Sequence, residues 1–425
     1  MPSTMLIALC VLFALAVPIA VSIGLSAIIG IQLFDAIPPI IIGQQLYVTL
    51  DRFPLVAIPF FILAGNLMDL GGISRRLVEF ARALVGGLQG GLPAACVITC
   101  MIFAAVSGSS TATTFAVGAV LIPAMVRAGY PVAWAAALQA TAAELGVIIP
   151  PSIPLILYGV AADVSVGELF IAGFGPGLLI GGALIAYVLW VSRRKGWGLR
   201  DGEGRQTLGA ATLSAFWALL MPVVVLGGIY GGLVTPTEAS ALAVFYAVFV
   251  GALVHRELNW TRLWEAVRRS VISSCVILFI IAWAGLLGFI ISREGVTADL
   301  GRWIVENLDS KWAFLIAVNL ALFFIGMFIE TSAAIIILAP ILAPVAAQYG
   351  LDPVHFGVVM VVNLAVGFIT PPFGVNLFAA CMVARIPLQK IIPPVIPFIG
   401  VVLVCLMLIT FIPAIPLTLR DLVYR

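Results

Sequence analysis

Long runs of apolar residues, separated by short polar segments, extend along almost the whole chain. A helix needs about 20 apolar residues to cross the hydrocarbon core of a bilayer, and many of these runs approach that length. They predict membrane spans at roughly 5–33, 54–70, 132–149, 174–192, 211–232, 238–255, 271–291, 311–328, 354–370 and 396–417. We expect the first run to be a permanent span, because no Lys or Arg precedes it and it exceeds the apolar region of a signal peptide.

Three stretches have an amphipathic pattern in place of a uniformly apolar one. Residues 73–86, 259–270 and 297–308 each combine Arg with Trp, Phe or Leu at helical spacing. This pattern is typical of helices that lie in the membrane interface. We therefore expect three interfacial helices.

Two segments of the chain match each other at an offset of 221 residues. The first runs from 107–113 to 149–152, and the second from 329–335 to 370–376. In each segment a short, almost uncharged tip joins two apolar stretches, which favours a helix–tip–helix hairpin over a water-exposed loop. Interrupted apolar segments at corresponding places in two halves of a membrane protein indicate a transporter binding site.

Each copy of the repeat also contains two consecutive prolines inside an apolar segment. Proline lacks a backbone donor and obstructs the carbonyl four residues earlier, so the pair favours an unwound segment. One such pair could be only a helix kink, but two pairs at one interval after a hydroxyl-bearing tip favour a site. Carbonyl and hydroxyl oxygens suit Na+ as ligands, while helix N-termini bind carboxylates. The carbonyls freed in this way are those of Gly146, Val147, Gly367 and Phe368.

Ionisable residues inside membrane segments are functional candidates by default. Glu144 precedes the first proline pair, and we favour a structural hydrogen bond for it. Glu330 lies in the second tip, where a cation ligand, a proton carrier and a hydrogen-bond partner stay open. Arg385 is expected to extend to the interface. Thr235 to Glu238 reads as a capping box that begins a helix. The tip hydroxyls are Ser107, Ser109, Ser110, Thr111, Thr113, Thr331 and Ser332, and Thr370 adds one at the second break.

Composition supports a polytopic membrane protein. The chain has 425 residues, of which 63% are hydrophobic and only 9% charged, against about 25% charged residues in soluble domains. A net charge of +2 gives no reason to expect a nucleic-acid partner, and no phosphate-binding P-loop is present. Six cysteines lie in apolar runs and are expected to be buried apolar residues. The basic loop with Arg193, Arg194, Lys195, Arg200 and Arg205 is expected on the cytoplasmic side.

Several motifs together resemble a known family. They are 107–113, 148–152, 228–239 and 367–374, and the match extends in order over essentially the whole chain. They resemble the large membrane subunit of tripartite ATP-independent periplasmic (TRAP) transporters. The resemblance implies a multi-pass protein of the bacterial inner membrane that is not an enzyme. It implies Na+-coupled uptake of organic anions, such as C4-dicarboxylates, sialic acid or other sugar acids, by an elevator motion. It also implies two partners, a separate small four-helix membrane subunit and a soluble periplasmic binding protein.

The resemblance also places the sites. One Na+ site corresponds to Ser107, Ser110, Gly146, Ile149 and Pro151, and the proline argument adds Val147. A second Na+ site corresponds to Gly326, Gly367 and Thr370, with Glu330 as a further candidate. The organic anion is expected between the tips, near Ser109, Thr111, Ser332 and Asn376.

We thus predict an all-α fold with two inverted-topology repeats, each containing a re-entrant hairpin and a broken helix. Scaffold helices occupy 1–70, and the repeats occupy 71–172 and 271–395. Further scaffold helices with the basic loop occupy 173–270, and a C-terminal helix occupies 396–425. Three alternatives stay open: a stand-alone Na+/dicarboxylate symporter without a binding protein, a passive channel or membrane scaffold, and a membrane enzyme. The last is disfavoured by the absence of an evident His/Cys/Asp cluster.

The two copies of the repeat differ in their polar side chains. At the offset of 221 residues, Ser107 corresponds to Phe328, Ser109 to Glu330, and Leu155 to Asn376. The shared backbone breaks and unshared side chains predict two similar cation sites, made largely of carbonyls, with one asymmetric anion between them.

Overall fold

A computed structural model describes residues 2–34, 37–85, 87–198, 207–308 and 310–424. All regular secondary structure in these ranges is helical. The N-terminal helices are α1 (Pro2–Ala14), α2 (Ile19–Phe34), α3 (Ile40–Leu50), α4 (Ala57–Leu70) and α5 (Ile73–Leu84). The first repeated segment contains α6 (Gly91–Ser107), α7 (Ser110–Arg127), α8 (Val132–Ala143), α9 (Leu145–Ile148) and α10 (Ile153–Ala162).

The second half of the chain is also helical. The central helices are α11 (Val166–Lys195), α12 (Leu208–Tyr230), α13 (Pro236–Phe249), α14 (Trp260–Arg293) and α15 (Val296–Asn307). The second repeated segment contains α16 (Lys311–Gly326), α17 (Thr331–Gln348), α18 (Pro353–Gly367) and α19 (Val375–Ala384). The last two helices are α20 (Leu388–Phe411) and α21 (Ala414–Tyr424). A 3-10 turn precedes α4 and a π turn follows α13.

Within the described ranges, eight helices are long and apolar enough to cross a membrane. A further candidate is the pair formed by α8–α9 and α10, which is bent by 42° at its break. These helices, by length and composition, confirm the prediction of a multi-pass membrane protein. The basic loop is described only up to Gly198, so Arg200 and Arg205 lie outside the described residues.

In each repeated segment the predicted tip joins two helices. In the first, α6 and α7 pack against each other and meet at Gly108, whose φ of +61° lies in the left-handed region. In the second, α16 and α17 are joined by residues 327–330. The proline pairs interrupt the following helices at 149–152 and 368–374, because proline cannot continue the helical hydrogen bonding.

Backbone features recur at corresponding places in the two repeated segments. The peptide bonds between the paired prolines are cis in both copies. Residues with positive φ also recur after corresponding helices: Gly72 and Gly295, Gly129 and Gly350, Asp163 and Arg385.

The two repeated segments exchange contacts with each other. The helix after the first break, α10, packs against α17 and α18 of the second segment. The helix after the second break, α19, packs against α7 and α8 of the first segment. A second group of helices forms around α4, which packs against α13 and α14, while α14 also contacts α2 and α3.

The predicted single span at 5–33 is wrong. The structure has two helices there, α1 and α2, which pack against each other. Pro18 obstructs the carbonyl of Ala14, where α1 ends, and Ala16 has a φ of +57°. The helix α3, which the sequence analysis did not predict, follows.

The predicted interfacial helix at 259–270 is also wrong as a separate element. These residues form the first part of α14, which continues to Arg293 because neither proline nor another break interrupts it. Asn259 caps this helix by accepting a hydrogen bond from the Arg262 amide at 2.9 Å. The other two amphipathic stretches form separate short helices, α5 and α15, as predicted, although Gly86 at the end of the first lies outside the described residues.

The C-terminal helix differs from the prediction as well. α20 begins earlier than residue 396, and the chain breaks at Ile412 and Pro413 before α21. The second helix is held by Arg420, whose side chain is only 5% exposed. Its guanidinium donates to Asp352 at 2.9 Å and lies 3.6 Å from Glu168, so α21 is fixed to the starts of α18 and α11.

Three smaller predictions concern single residues or motifs. The capping box is confirmed, since Thr235 Oγ1 accepts from the Glu238 amide at 3.3 Å and Glu238 accepts from the Thr235 amide at 2.8 Å. Four cysteines are buried as expected, but Cys10 and Cys275 are exposed on the surface of the apolar helices. Arg385 is exposed at the end of α19, and its extension to the interface stays a prediction.

Candidate functional site

A cavity of about 590 Å³ is lined by both hairpin tips and by helices α4 and α14. The tips contribute residues 107–111 of the first together with Glu330 and Ser332 of the second. The helices α4 and α14 contribute polar side chains to the same lining: Asn66, Asp69, Arg269 and Ser273. The cavity therefore brings together three predicted anion-binding residues, which are Ser109, Thr111 and Ser332.

The first tip ends in hydroxyl groups and carries no charge. Ser109 caps α7, and its Oγ accepts a hydrogen bond from the amide of Ala112 at 3.4 Å. The hydroxyl groups of Ser109 and Thr111 lie 3.2 Å apart. Because the N-terminus of a helix carries partial positive charge, this tip offers amides and hydroxyls to an anion.

The second tip is capped by a carboxylate. Glu330 accepts hydrogen bonds from the Ala333 amide at 3.1 Å and from Ser332 Oγ at 2.8 Å. The partial positive charge at the start of α17 is thus already compensated by a side chain of the protein. The two tips therefore differ chemically, since only the first is available to an external carboxylate.

The first break lies directly against the first tip. Gly146 allows this approach, because a Cβ at this position would lie 2.8 Å from both Ser109 O and Thr113 Oγ1. A Cβ on Gly108 would lie 2.7 Å from the carbonyl oxygen of Pro151. Ser107 Oγ lies 3.2 Å from Thr113 Oγ1 in the same region. The predicted ligands of the first Na+ site are therefore neighbours, including the buried Ser110 and Ile149.

The carbonyl of Val147, which the proline argument frees, has a hydrogen-bond partner. Ser152 Oγ donates to it at 2.5 Å. A carbonyl oxygen has two lone pairs, so this bond leaves it one further acceptor position.

The second break lies against the second hairpin through two glycines. The backbones of Gly326 and Gly367 are in direct contact, and a Cβ on Gly367 would overlap Gly326. Thr370 is buried and its Oγ1 donates to Val366 O at 2.7 Å. The Gly367 carbonyl accepts from the Thr370 amide at 3.0 Å. Three predicted ligands of the second Na+ site, Gly326, Gly367 and Thr370, are therefore also close together, while Glu330 bonds within its own tip.

Thr331, the first residue of α17, was not assigned to either predicted site. It is fully buried, and its Oγ1 has no hydrogen-bond partner in the described part of the chain. The signal was present in the sequence, because the offset of 221 residues takes the predicted ligand Ser110 to Thr331. A buried hydroxyl without a partner is a candidate ligand for a cation.

Asn376 is not part of the cavity wall. It is fully buried, and its Nδ2 donates to Glu144 Oε1 at 2.5 Å. The structure therefore separates Asn376 from the other three predicted anion-binding residues. It also gives Glu144 the structural hydrogen bond that was favoured for it.

Arg269 is a second residue that sequence reasoning missed. It is the one cationic side chain in the described lining of the cavity, which also contains the carboxylates of Asp69 and Glu330. Its Nε donates to Glu265 at 2.7 Å, and its side chain is 52% exposed. The sequence predicted a separate interfacial helix at 259–270, so the place of this guanidinium in the cavity lining depends on the continuity of α14.

The chemistry of the site is that of oxygen ligands and one guanidinium. Among the described residues, no group of three or more His, Cys, Asp or Glu side chains could hold a metal ion together. The carbonyls and hydroxyls at the breaks are hard ligands, which fit Na+.

Comparison with known proteins gives a consistent family match. A family model described as the DctM component of the tripartite ATP-independent periplasmic transporter matches residues 6–415. An isethionate TRAP transporter permease protein, DctMQ, of Oleidesulfovibrio alaskensis is 45% identical over 94% of the chain. The chain spans 63% of the length of that relative.

A second relative has nearly the same length. The C4-dicarboxylate TRAP transporter large permease protein DctM of Pseudomonas aeruginosa is 42% identical, over 94% of each chain. Among solved structures, the YdaH transporter of Alcanivorax borkumensis matches with a TM-score of 0.62 over 88% of each chain, at 17% identity. That last match shows similarity of fold.

Proposed function

Because the chain belongs to the DctM family, the large permease components of TRAP transporters for organic acids, we propose that it is the Na+-coupled membrane permease for an organic anion. The related proteins are transporter subunits and not enzymes. The observation that carries the proposal is the cavity that both tips line, together with the contact of each hairpin with a broken helix.

Two Na+ ions are proposed to bind at the two breaks. The first site uses Ser107, Ser110 and the backbone of Gly146, Val147, Ile149 and Pro151. The second site uses Thr370, Thr331 and the backbone of Gly326 and Gly367, with Glu330 close by. Support comes from the buried hydroxyl of Thr331 and from the glycine contacts that bring each tip to its break.

The carboxylate or sulfonate end of the substrate is proposed to bind at the first tip. Ser109, Thr111 and the α7 N-terminus would donate hydrogen bonds there, and Arg269 lines the same cavity. The second tip presents the Glu330 carboxylate, which repels an anion and accepts hydrogen bonds. Ser332 already donates to that carboxylate, so a hydroxyl group of the substrate would compete with it. The relatives for isethionate and C4-dicarboxylate indicate the chemical class.

Transport is proposed to follow an elevator motion of two inverted repeats. The exchanged packing of α10 and α19 joins the repeated segments into one unit, which supports movement of both tips together. The helices around α4, α13 and α14 would form the static scaffold, with α5 and α15 in the membrane interface. Arg193, Arg194 and Lys195 at the end of α11 support a cytoplasmic position for that end.

Two partners complete the proposed system in the bacterial inner membrane. A small four-helix membrane subunit would cover part of the exposed apolar surface of the scaffold helices. A periplasmic binding protein would deliver the organic anion. The tripartite character of the family supports both partners.

Uptake into liposomes tests this function. The chain, its small subunit and its binding protein should accumulate an organic acid only when Na+ is higher outside. Entry that only equilibrates the organic acid, at the same rate with and without a Na+ gradient, would favour a passive channel and reject the proposed coupling. Uptake by the chain alone, without either partner, would indicate a stand-alone Na+/dicarboxylate symporter.

A further inference from the structure

The hydrogen bond between Glu144 and Asn376 joins the two halves of the molecule at their breaks. The residues are 232 positions apart, and Nδ2 of Asn376 lies 2.5 Å from Oε1 of Glu144. Both residues are fully buried or nearly so, with 0% and 1% of their surface exposed. Glu144 precedes the first break directly, while Asn376 follows the second.

Backbone hydrogen bonds extend this link into both breaks. The amide of Asn376 donates to Phe368 O at 3.1 Å, inside the second break. The amide of Val147 donates to Glu144 O at 3.1 Å, and Val147 O accepts from Ser152. A continuous path of hydrogen bonds therefore runs from one break to the other.

Stability alone does not explain the pair. Glu144 Oε2 and Asn376 Oδ1 have no hydrogen-bond partner in the described ranges, and a partly satisfied buried polar pair is less stable than apolar packing. The repeat offers the comparison, since the positions equivalent to Glu144 and Asn376 are Ala365 and Leu155. The fold therefore accepts apolar residues at both corresponding places.

We propose that Glu144 and Asn376 are positioning residues that couple the occupancy of the two cation sites. A cation at one break orders the carbonyls there, and the hydrogen-bonded path transmits this order to the other break. Ordering one site then reduces the entropic cost of ordering the other, which gives positive cooperativity. This inference rests on the proposed pair of Na+ sites.

Equilibrium binding of radiolabelled Na+ to the chain in complex with its small subunit tests the coupling. Coupling factors of about 5- to 150-fold correspond to a Hill coefficient between about 1.4 and 1.8 for two equal sites. The double variant Glu144→Leu/Asn376→Leu removes both polar groups, and we expect its Hill coefficient to fall to about 1. Glu144→Asp is the second test, because the shorter side chain cannot reach Asn376 while the carboxylate is kept.

Two further variants serve as controls. Glu144→Gln keeps an oxygen acceptor for Asn376 and should retain the Hill coefficient of the wild type. Tyr158→Phe removes another hydrogen bond between the repeated segments, from Tyr158 Oη to Pro353 O at 2.9 Å, away from both breaks. It should also leave the Hill coefficient unchanged.

Several results would overturn the inference. A wild-type Hill coefficient of one, or unchanged cooperativity in the double variant or in Glu144→Asp, would show that the pair transmits no coupling. Loss of one bound Na+ in Glu144→Gln would show that Glu144 is a cation ligand. Each of these results is compatible with the proposed Na+-driven transport. A wild-type protein that binds no Na+ would contradict the proposed function as well.

Discussion

Replacing Thr331 with valine tests the second cation site, because valine keeps the shape of threonine and removes only the hydroxyl group. Thr331 Oγ1 is fully buried and has no hydrogen-bond partner in the described residues. A buried hydroxyl without a partner costs about 1–3 kcal/mol. Without Na+, Thr331→Val should therefore unfold at the same temperature as the wild type or at a higher one.

The effect of Na+ should have the opposite sign. An interaction between a hydroxyl group and a charge contributes about 1.5–3 kcal/mol. Since 1.4 kcal/mol is a factor of ten in affinity, Na+ binding should weaken by about 10- to 100-fold. The assay is the thermal midpoint of the purified complex as a function of Na+ concentration, which reports ligand binding to the folded state.

Thr99 provides the matched control. Its Oγ1 is also buried and without a partner among the described atoms, but it lies in the middle of α6, away from both breaks. Thr99→Val should be stabilised in the same way and should keep the Na+ response of the wild type. An unchanged Na+ response in Thr331→Val would refute its assignment as a ligand.

Three other predictions concern separate parts of the chain. Arg269→Gln should raise the KM for the organic anion roughly fivefold, as for one partly exposed charge pair, while Arg268→Gln on the same helix should not; equal KM values would remove Arg269 from the site. Thr235→Ala should lower the folded yield through the loss of a cap worth about 1 kcal/mol, with normal uptake per folded molecule; normal yield with lost uptake would contradict the structural role. Burial raises the pKa of Asp352, but the hydrogen bonds that it accepts from Arg420 and from the His355 and Val354 amides, together with the Arg420 charge, outweigh this, and the net pKa is lowered. The contribution of Asp352 to the free energy of unfolding is therefore fully present above the pKa of the unfolded chain, about 3.9. It is lost as the pH falls through the lower pKa of the folded protein. The difference in thermal midpoint between wild type and Asp352→Asn should shrink in acid, and a constant difference would contradict the ion pair.

Local sequence signals were sufficient to predict the positions of the helix breaks and of the tips. A proline pair removes two adjacent backbone donors, so the interruption after Ile148 needs no tertiary information. Likewise, Ser109 followed by an apolar helical stretch is a local cap signal, and the structure has that cap. The capping box at Thr235 was predictable for the same reason.

The sequence did not predict where one helix continues into the next apolar stretch, nor which distant residues contact each other. An amphipathic stretch before an apolar one looks the same whether the helix bends at the interface or continues, so the length of α14 and the position of Arg269 emerged only in three dimensions. The hydrogen bond between Glu144 and Asn376 joins distant parts of the chain and has no local pattern. By contrast, Pro18 is a local signal for the break between α1 and α2, but the long apolar run around it led to the prediction of a single span.

Reciprocal binding of Na+ and organic anion tests the central claim most directly. If cations order the breaks that support the tips, the affinity for the anion should rise when Na+ is present. Thermodynamic linkage requires the affinity for Na+ to rise by the same factor when the anion is present. Equilibrium binding of each radiolabelled ligand to the complex, with and without the other, measures both factors. We predict equal factors greater than one. Anion affinity that does not change with Na+ would contradict the account.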